Sequence, residues 1–168
     1  MVPLNVLLTA DEIAYLLDDS DAVAIVAWDG FLAAAEAGFA RAERCEHLIV
    51  ARANPLDATA PEGAINMMAL IAGAEPVSEL PDTAPDESAV ILYTSGTTGK
   101  PKGAELTHFN LFFNALYTST LLVPLDSDTV ALATLPLFHS FGQTVMQNAP
   151  IAVGGTVVLL PTRPTARR

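Results

Sequence analysis

Tyr93-Thr94-Ser95-Gly96-Thr97-Thr98-Gly99-Lys100-Pro101-Lys102-Gly103 is small, hydroxylated, glycine-rich and basic. The apolar run Ala89–Tyr93 leads into it and reads as a strand. A helix is expected to lead out of it near Thr107. Strand, glycine-rich loop and helix together are a recurring way to hold a phosphate chain. Gly96, Gly99 and Gly103 can take backbone angles closed to other residues, which lets amide N–H groups turn inward. Thr94, Ser95, Thr97 and Thr98 add hydroxyl donors. Lys102, with Lys100, adds positive charge, and Pro101 stiffens the loop and forbids ordinary helix across it.

The spacing excludes the P-loop of GTPases, which needs four residues between its first glycine and Gly-Lys-Ser/Thr. A polar surface loop would share this composition, but not the ordered string. That string resembles the phosphate loop of the AMP-forming adenylating enzymes, a group that includes acyl-CoA synthetases, coumarate-CoA ligases, luciferases and peptide-synthetase adenylation domains. The resemblance implies that Thr94, Ser95, Gly96, Thr97, Thr98, Gly99, Lys102 and Gly103 bind the phosphates of ATP. Thr94 matches a threonine that helps bind Mg²⁺ in some relatives.

A second block, Leu135-Pro136-Leu137-Phe138-His139-Ser140-Phe141-Gly142, follows at a fitting distance. A lone histidine among apolar residues is usually structural. The same enzymes carry a Pro-Leu/Met-Phe-His block here, which implies an acyl- or adenylate-binding role for His139. A neutral imidazole can hydrogen-bond a carboxylate or phosphate edge without acting as a base. Some long-chain fatty-acid ligases place a gating tryptophan four residues after that histidine. This chain has Gln143, which speaks against an aromatic-gated tunnel.

The 168 residues suffice for a domain with a core. With 51% hydrophobic and 16% charged residues, the composition is that of a globular rather than a disordered chain. The net charge of −11 is unevenly spread, −13 over residues 1–90 and +2 over residues 91–168, so nucleic acid is excluded as a partner of the whole chain. Cys45 is the single cysteine, which rules out an intrachain disulfide and fits a reducing cytoplasm. Its default reading is a buried or half-buried thiol. No apolar run reaches membrane-spanning length.

In chain order, Met1–Leu8 reads as the end of a strand. Thr9 to Glu12 has capping-box form, and Ile13, Leu16 and Leu17 form one helical face. Ala22–Trp28 reads as a buried strand, Phe31–Arg44 as helix and His47–Ala51 as strand. That β-α-β rhythm predicts an α/β fold with a parallel sheet and covering helices. Asn54–Gly63 reads as loop and Ala64–Ala72 as a short helix. Glu75–Glu87 is an exposed connector, after which Ala89–Tyr93 is expected to rejoin the same sheet. Thr107 is an N-cap, and the spacing of Phe109, Phe112, Phe113, Leu116 and Leu121 predicts a core-facing stripe. His108 reads as exposed or capping. Thr129–Leu135 is a strand, Ser140–Ala152 a helix interrupted at Pro150, and Thr156–Leu160 a last strand.

The resemblance extends from about Pro3 to Leu160 and is greatest to bacterial fatty-acid or acyl-CoA ligases. It implies a partial N-terminal AMP-binding domain over residues 1–160, with 161–168 a divergent tail and the C-terminal domain absent. Its implied substrates are ATP, coenzyme A and a carboxylic acid, expected to be a fatty acid, with Mg²⁺. The glutamate of a Tyr-Gly-x-Thr-Glu block, the aspartate of a Thr-Gly-Asp block and the family's late lysine are not found. A premature stop or frameshift near Pro161 would explain the ending. The chain alone is therefore expected to be inactive, to aggregate or to seek a chain supplying the missing motifs. The competing readings are a non-catalytic ATP-binding module, another adenylating enzyme of coumarate-CoA-ligase or peptide-synthetase type, and a product without a stable fold.

Overall fold

The structure is a computed structural model that describes residues 1–94 and 99–160. It divides into two compact units, one spanning Val2–Pro81 and the other comprising Met1 with the chain from Asp82 onward.

The first unit is a βαβ layer. Helix α1 (Ala10–Asp19) starts at Thr9, whose hydroxyl accepts the Glu12 N–H while the Glu12 carboxylate accepts the Thr9 N–H. Both donors would otherwise be orphaned at the helix start. Strand β1 (Ala24–Trp28) pairs in parallel with β2 (His47–Ala51), from Ala24 opposite His47 to Trp28 opposite Ala51. The short β3 (Ile65–Asn66) adds to β2 in parallel and runs into α3 (Met67–Ala72), capped by the Asn66 side chain. Ile13 and Leu17 of α1 pack with Ile25, Ala27, Leu48 and Val50 of the sheet and with Ala35 of α2 (Leu32–Phe39). A Cβ on Gly38 would lie 2.6 Å from Ile13 Cγ2, so glycine there lets α1 and α2 approach closely.

Several expectations need correction in this unit. Val2–Leu8 forms no strand, because the Asn5 carbonyl and side chain accept the Leu8 and Leu7 N–H groups in a local turn. Strand β1 is buried only at alternate residues. Ile25 and Ala27 face the helices, and Val26 and Trp28 are exposed on the other side. The helix expected to reach Arg44 stops at Phe39, where Asp18 accepts the Glu43 and Arg44 N–H groups from outside the helix. Ala64–Ala72 is part strand and part helix.

The second unit begins with an antiparallel hairpin, β4 (Ser88–Thr94) and β5 (Lys102–Thr107). This corrects the strand–loop–helix expectation, since a strand intervenes before the helix. Among the described residues β4 pairs with β5 and not with the β1–β2–β3 sheet, which corrects the expected single sheet. Antiparallel pairing of Lys102–Thr107 gives both strands' backbones a partner, which a helix in its place could not do for β4.

Helix α4 (His108–Tyr117) is capped reciprocally by Thr107 and Asn110. The connector satisfies two more of its leading donors, since Glu87 O accepts His108 N–H at 3.1 Å and Pro85 O accepts Phe109 N–H at 2.8 Å. The expected core stripe is not buried. Phe109, Phe112, Phe113, Leu116 and Leu121 are all exposed, Phe112 at 62%. Their helical spacing is real, with Phe109, Phe113 and Tyr117 stacked in series, but Ala115 is the buried residue of α4.

The helix continues in wider π turns over Thr118–Leu122. Strand β6 (Val130–Ala133) then pairs in parallel with β7 (Thr156–Leu159). Between them a helical run from Ser140 passes through π turns at Gly142–Asn148 into α5 (Ala149–Ala152). Pro150 sits inside this run and does not interrupt it. The wider π turns of Gly142–Asn148 lead directly into it, and the run continues through Pro150 to Ala152. Gly154, at φ +79°, ends α5 and donates to Ile151 O.

Candidate functional site

Of the eight residues selected as phosphate-binding, Thr94, Gly99, Lys102 and Gly103 are described. Ser95, Gly96, Thr97 and Thr98 lie outside the described residues. Thr94 ends β4 directly opposite Lys102, the first residue of β5, and both are exposed. A threonine and a lysine thus face each other at the loop end of one hairpin. Gly99 has φ +90°, a left-handed conformation that side-chain-bearing residues rarely adopt.

Gly103 lies opposite Tyr93. A Cβ there would stand 2.8 Å from Ile91 Cγ2 and 3.2 Å from Tyr93 Cζ, so the absence of a side chain lets those two cover the hairpin.

His139 is exposed, at the turn between β6 and the long helical run. Its N–H donates to Pro136 O at 3.2 Å and its carbonyl accepts Gln143 N–H at 2.9 Å. The Phe141 N–H points at His139 Nδ1, 3.3 Å away. A ring nitrogen that accepts carries no proton, so the neutral imidazole holds its proton on Nε2. His139 thus caps the helix with one nitrogen and presents a donor with the other. Among the described residues no hydrogen bond or ion pair joins His139 to Thr94, Gly99, Lys102 or Gly103.

Gly142 was missed in the sequence. A Cβ at Gly142 would lie 2.2 Å from Pro136 O, so this glycine lets the Pro136–His139 turn close against the helix. The signal was the glycine three residues after the histidine, which composition alone does not distinguish from any other. Gln143, where the sequence shows no gating aromatic, is 5% exposed.

A shallow depression of about 330 Å³ lies elsewhere in this unit, lined by Thr83, Pro85, His108, Phe109 and Phe112. None of the selected site residues lines it. Among the described residues no three His, Cys, Asp or Glu side chains gather into a metal cluster, and no helix is long and apolar enough to cross a membrane.

Known proteins resemble the chain over most of its length. The chain is 40% identical over 160 residues to the sulfoacetate–CoA ligase of Cupriavidus necator, covering 94% of this chain and 29% of that protein. The solved anthranilate CoA ligase AuaEII in complex with anthranoyl-AMP is 26% identical. It superposes with a TM-score of 0.86 over 96% of this chain and 30% of its own. ATP-bound MatB from Rhodopseudomonas palustris is 30% identical, with a TM-score of 0.72 over 96% of this chain and 30% of its own. The chain thus spans under a third of the length of these relatives. The profile of the family described as AMP-binding enzyme matches residues 1–168, and the chain belongs to that family.

Proposed function

We propose that residues 1–160 are the phosphate-binding part of the N-terminal adenylating domain of an AMP-forming carboxylate–CoA ligase. The observation that carries this reading is the Thr94–Lys102 pair at the end of the hairpin whose connecting loop has the adenylating-enzyme string. In the proposed reaction a carboxylate oxygen attacks the α-phosphorus of ATP, pyrophosphate leaves with the bonding electrons, and an acyl-adenylate forms. Coenzyme A thiolate then attacks the acyl carbon and AMP leaves.

Thr94, Ser95, Gly96, Thr97, Thr98, Gly99, Lys102 and Gly103 would cradle the β- and γ-phosphates. Backbone N–H groups and the Lys102 charge would stabilise negative charge there. Mg²⁺ is bound in such sites mainly through substrate phosphates and a few protein oxygens. Thr94 is exposed at the hairpin end and fits as one such oxygen. His139 would donate from Nε2 to the carboxylate or phosphate edge. Its Nδ1 is occupied by the helix start, so it orients rather than abstracts a proton.

A fatty acid is one candidate acid. The named relatives act on sulfoacetate and anthranilate, so the acid class is best defined by a panel. A cytoplasmic location fits the single half-buried thiol. A second reading, ATP binding without turnover by this chain alone, is favoured by its spanning under a third of the relatives. Calorimetry with Mg-ATP tests the site. Binding is expected, and Lys102→Ala should weaken it by roughly ten- to a hundredfold, the range of a charged hydrogen bond. An unchanged affinity in that variant would place the nucleotide elsewhere. Acid-dependent AMP formation by the 168-residue chain would overturn the non-catalytic reading.

A further inference from the structure

Gln143 is buried without a partner. It is 5% exposed and belongs to the π segment Gly142–Asn148, which packs against β6 and α4. Among the described residues its amide makes no hydrogen bond, whereas the buried polar side chains of Asn66, Thr118 and Ser119 each make one. Among the same residues no fully enclosed side-chain N or O lacks a partner, so the small part of Gln143 that solvent reaches includes both amide atoms. The stem is packed and the amide looks out. A buried amide left unpaired costs stability, and methionine would fill the same volume without that cost. Such a group calls for a partner that the chain itself does not supply.

Its place suggests the partner. The Gln143 N–H donates to His139 O, so the two residues stand one helical turn apart, about 6 Å along the axis. His139 offers a donor at Nε2, and Gln143 offers a donor and an acceptor. From this we infer that Gln143 is a specificity-determining residue that hydrogen-bonds a second polar group of the acid whose carboxylate lies at His139. The substrate class is then a short carboxylic acid bearing a hydroxyl, carbonyl or amide group a few bonds from its carboxylate, and not an unsubstituted fatty acid. A hydrocarbon chain in the same place would cover the amide and leave it unpaired, which is how a site built around a hydrogen bond rejects an apolar analogue. The inference rests on the proposed ligase reading.

Two acids of equal length test it. γ-Hydroxybutyrate and pentanoate differ by a hydroxyl in place of a methyl group. In proton–nitrogen correlation spectra of the 168-residue chain, the side-chain NH2 pair of Gln143 is assigned by its loss in Gln143→Met. Titration with γ-hydroxybutyrate, without nucleotide, is expected to shift that pair and the His139 ring. It should bind about three- to tenfold more tightly than pentanoate, the range of one neutral hydrogen bond. Gln143→Met should melt at or above the parent, since no hydrogen bond is lost, and should bind the two acids equally. Equal binding by the parent would overturn the inference, and so would failure of either acid to bind at tens of millimolar. Shifts that leave the Gln143 amide unmoved would place the acid elsewhere, and a Gln143→Met melt several degrees below the parent would make the amide structural; either result also overturns it. Calorimetry of Lys102→Ala with Mg-ATP reads the phosphate site separately. An acid that finds Gln143 beside an unchanged nucleotide affinity in that variant would sink the phosphate site and leave the acid site standing.

Discussion

Thr94 and Lys102 close the β4–β5 ladder as its last register pair, so a backbone pairing sets a threonine opposite a lysine. Neither residue depends on the other's side chain for its position. They can be varied singly without unmaking the hairpin.

Thr94→Val keeps a β-branched residue in the strand and removes only the hydroxyl. Mg-ATP affinity should fall by roughly fivefold, the worth of one neutral hydrogen bond, with the loss smaller in the absence of Mg²⁺. Calorimetry with and without the metal checks both statements. An equal loss in the two conditions would remove Thr94 from the metal.

Gly142→Ala should destabilise the second unit by about 1–3 kcal/mol, because its methyl group would meet the Pro136 carbonyl oxygen and force the turn bearing His139 outward. Gly103→Ala should also destabilise, by contact with Ile91 and Tyr93. Thermal melts of the two variants against the parent give the comparison. A Gly142→Ala melt matching the parent would mean that the turn yields without cost.

Thr9→Ala should weaken α1 by about 1 kcal/mol, the usual worth of a threonine cap. A pH effect accompanies it. The Thr9 backbone N–H, then its hydroxyl, hold the Glu12 carboxyl below the usual carboxylate range. A lowered folded value means the contribution is complete above about pH 4.3 and is lost as pH falls through that lowered value. Urea melts from pH 7 to pH 3 should show a shallower acid limb in Thr9→Ala.

Burial, with the nearby Asp18 and Glu46 carboxylates, pushes the Cys45 thiol up, partly offset by a hydrogen bond with the His47 backbone. The thiolate is the reactive form, so native Cys45 should react with a disulfide reagent at pH 7.5 about tenfold more slowly than in the denatured chain. Equal rates would mean that the β2 end of the first unit opens readily.

Local signals in the sequence were legible where they concern one element. The Thr9–Glu12 box and the Thr107 cap appear as read, because each depends on neighbours within four residues, and the His47–Ala51 strand appears as its apolar run predicted. The α4 stripe shows the limit. Its 3.6-residue spacing marks an apolar face, but spacing carries no information on what covers that face. The β5 strand was hidden for a related reason. Lys102–Thr107 has no apolar alternation, and its strand state comes from the β4 backbone opposite it. In the site, the eight loop residues and His139 were read from their order along the chain. Gly142 became visible only when the Pro136 carbonyl was seen against it.

The boundary at Pro81 also divides the charge. Residues 1–81 hold thirteen acidic and three basic side chains, while the remaining chain holds six and five. The first unit therefore acts as a polyanionic float for a greasy companion, keeping neighbouring molecules apart by mutual repulsion. That protection is colloidal rather than structural. It should fade as salt shortens the reach of charge to below about 8 Å, and vanish as the solution approaches the isoelectric point near pH 4.4. Turbidity should rise along both axes without any change in the circular dichroism of the parts.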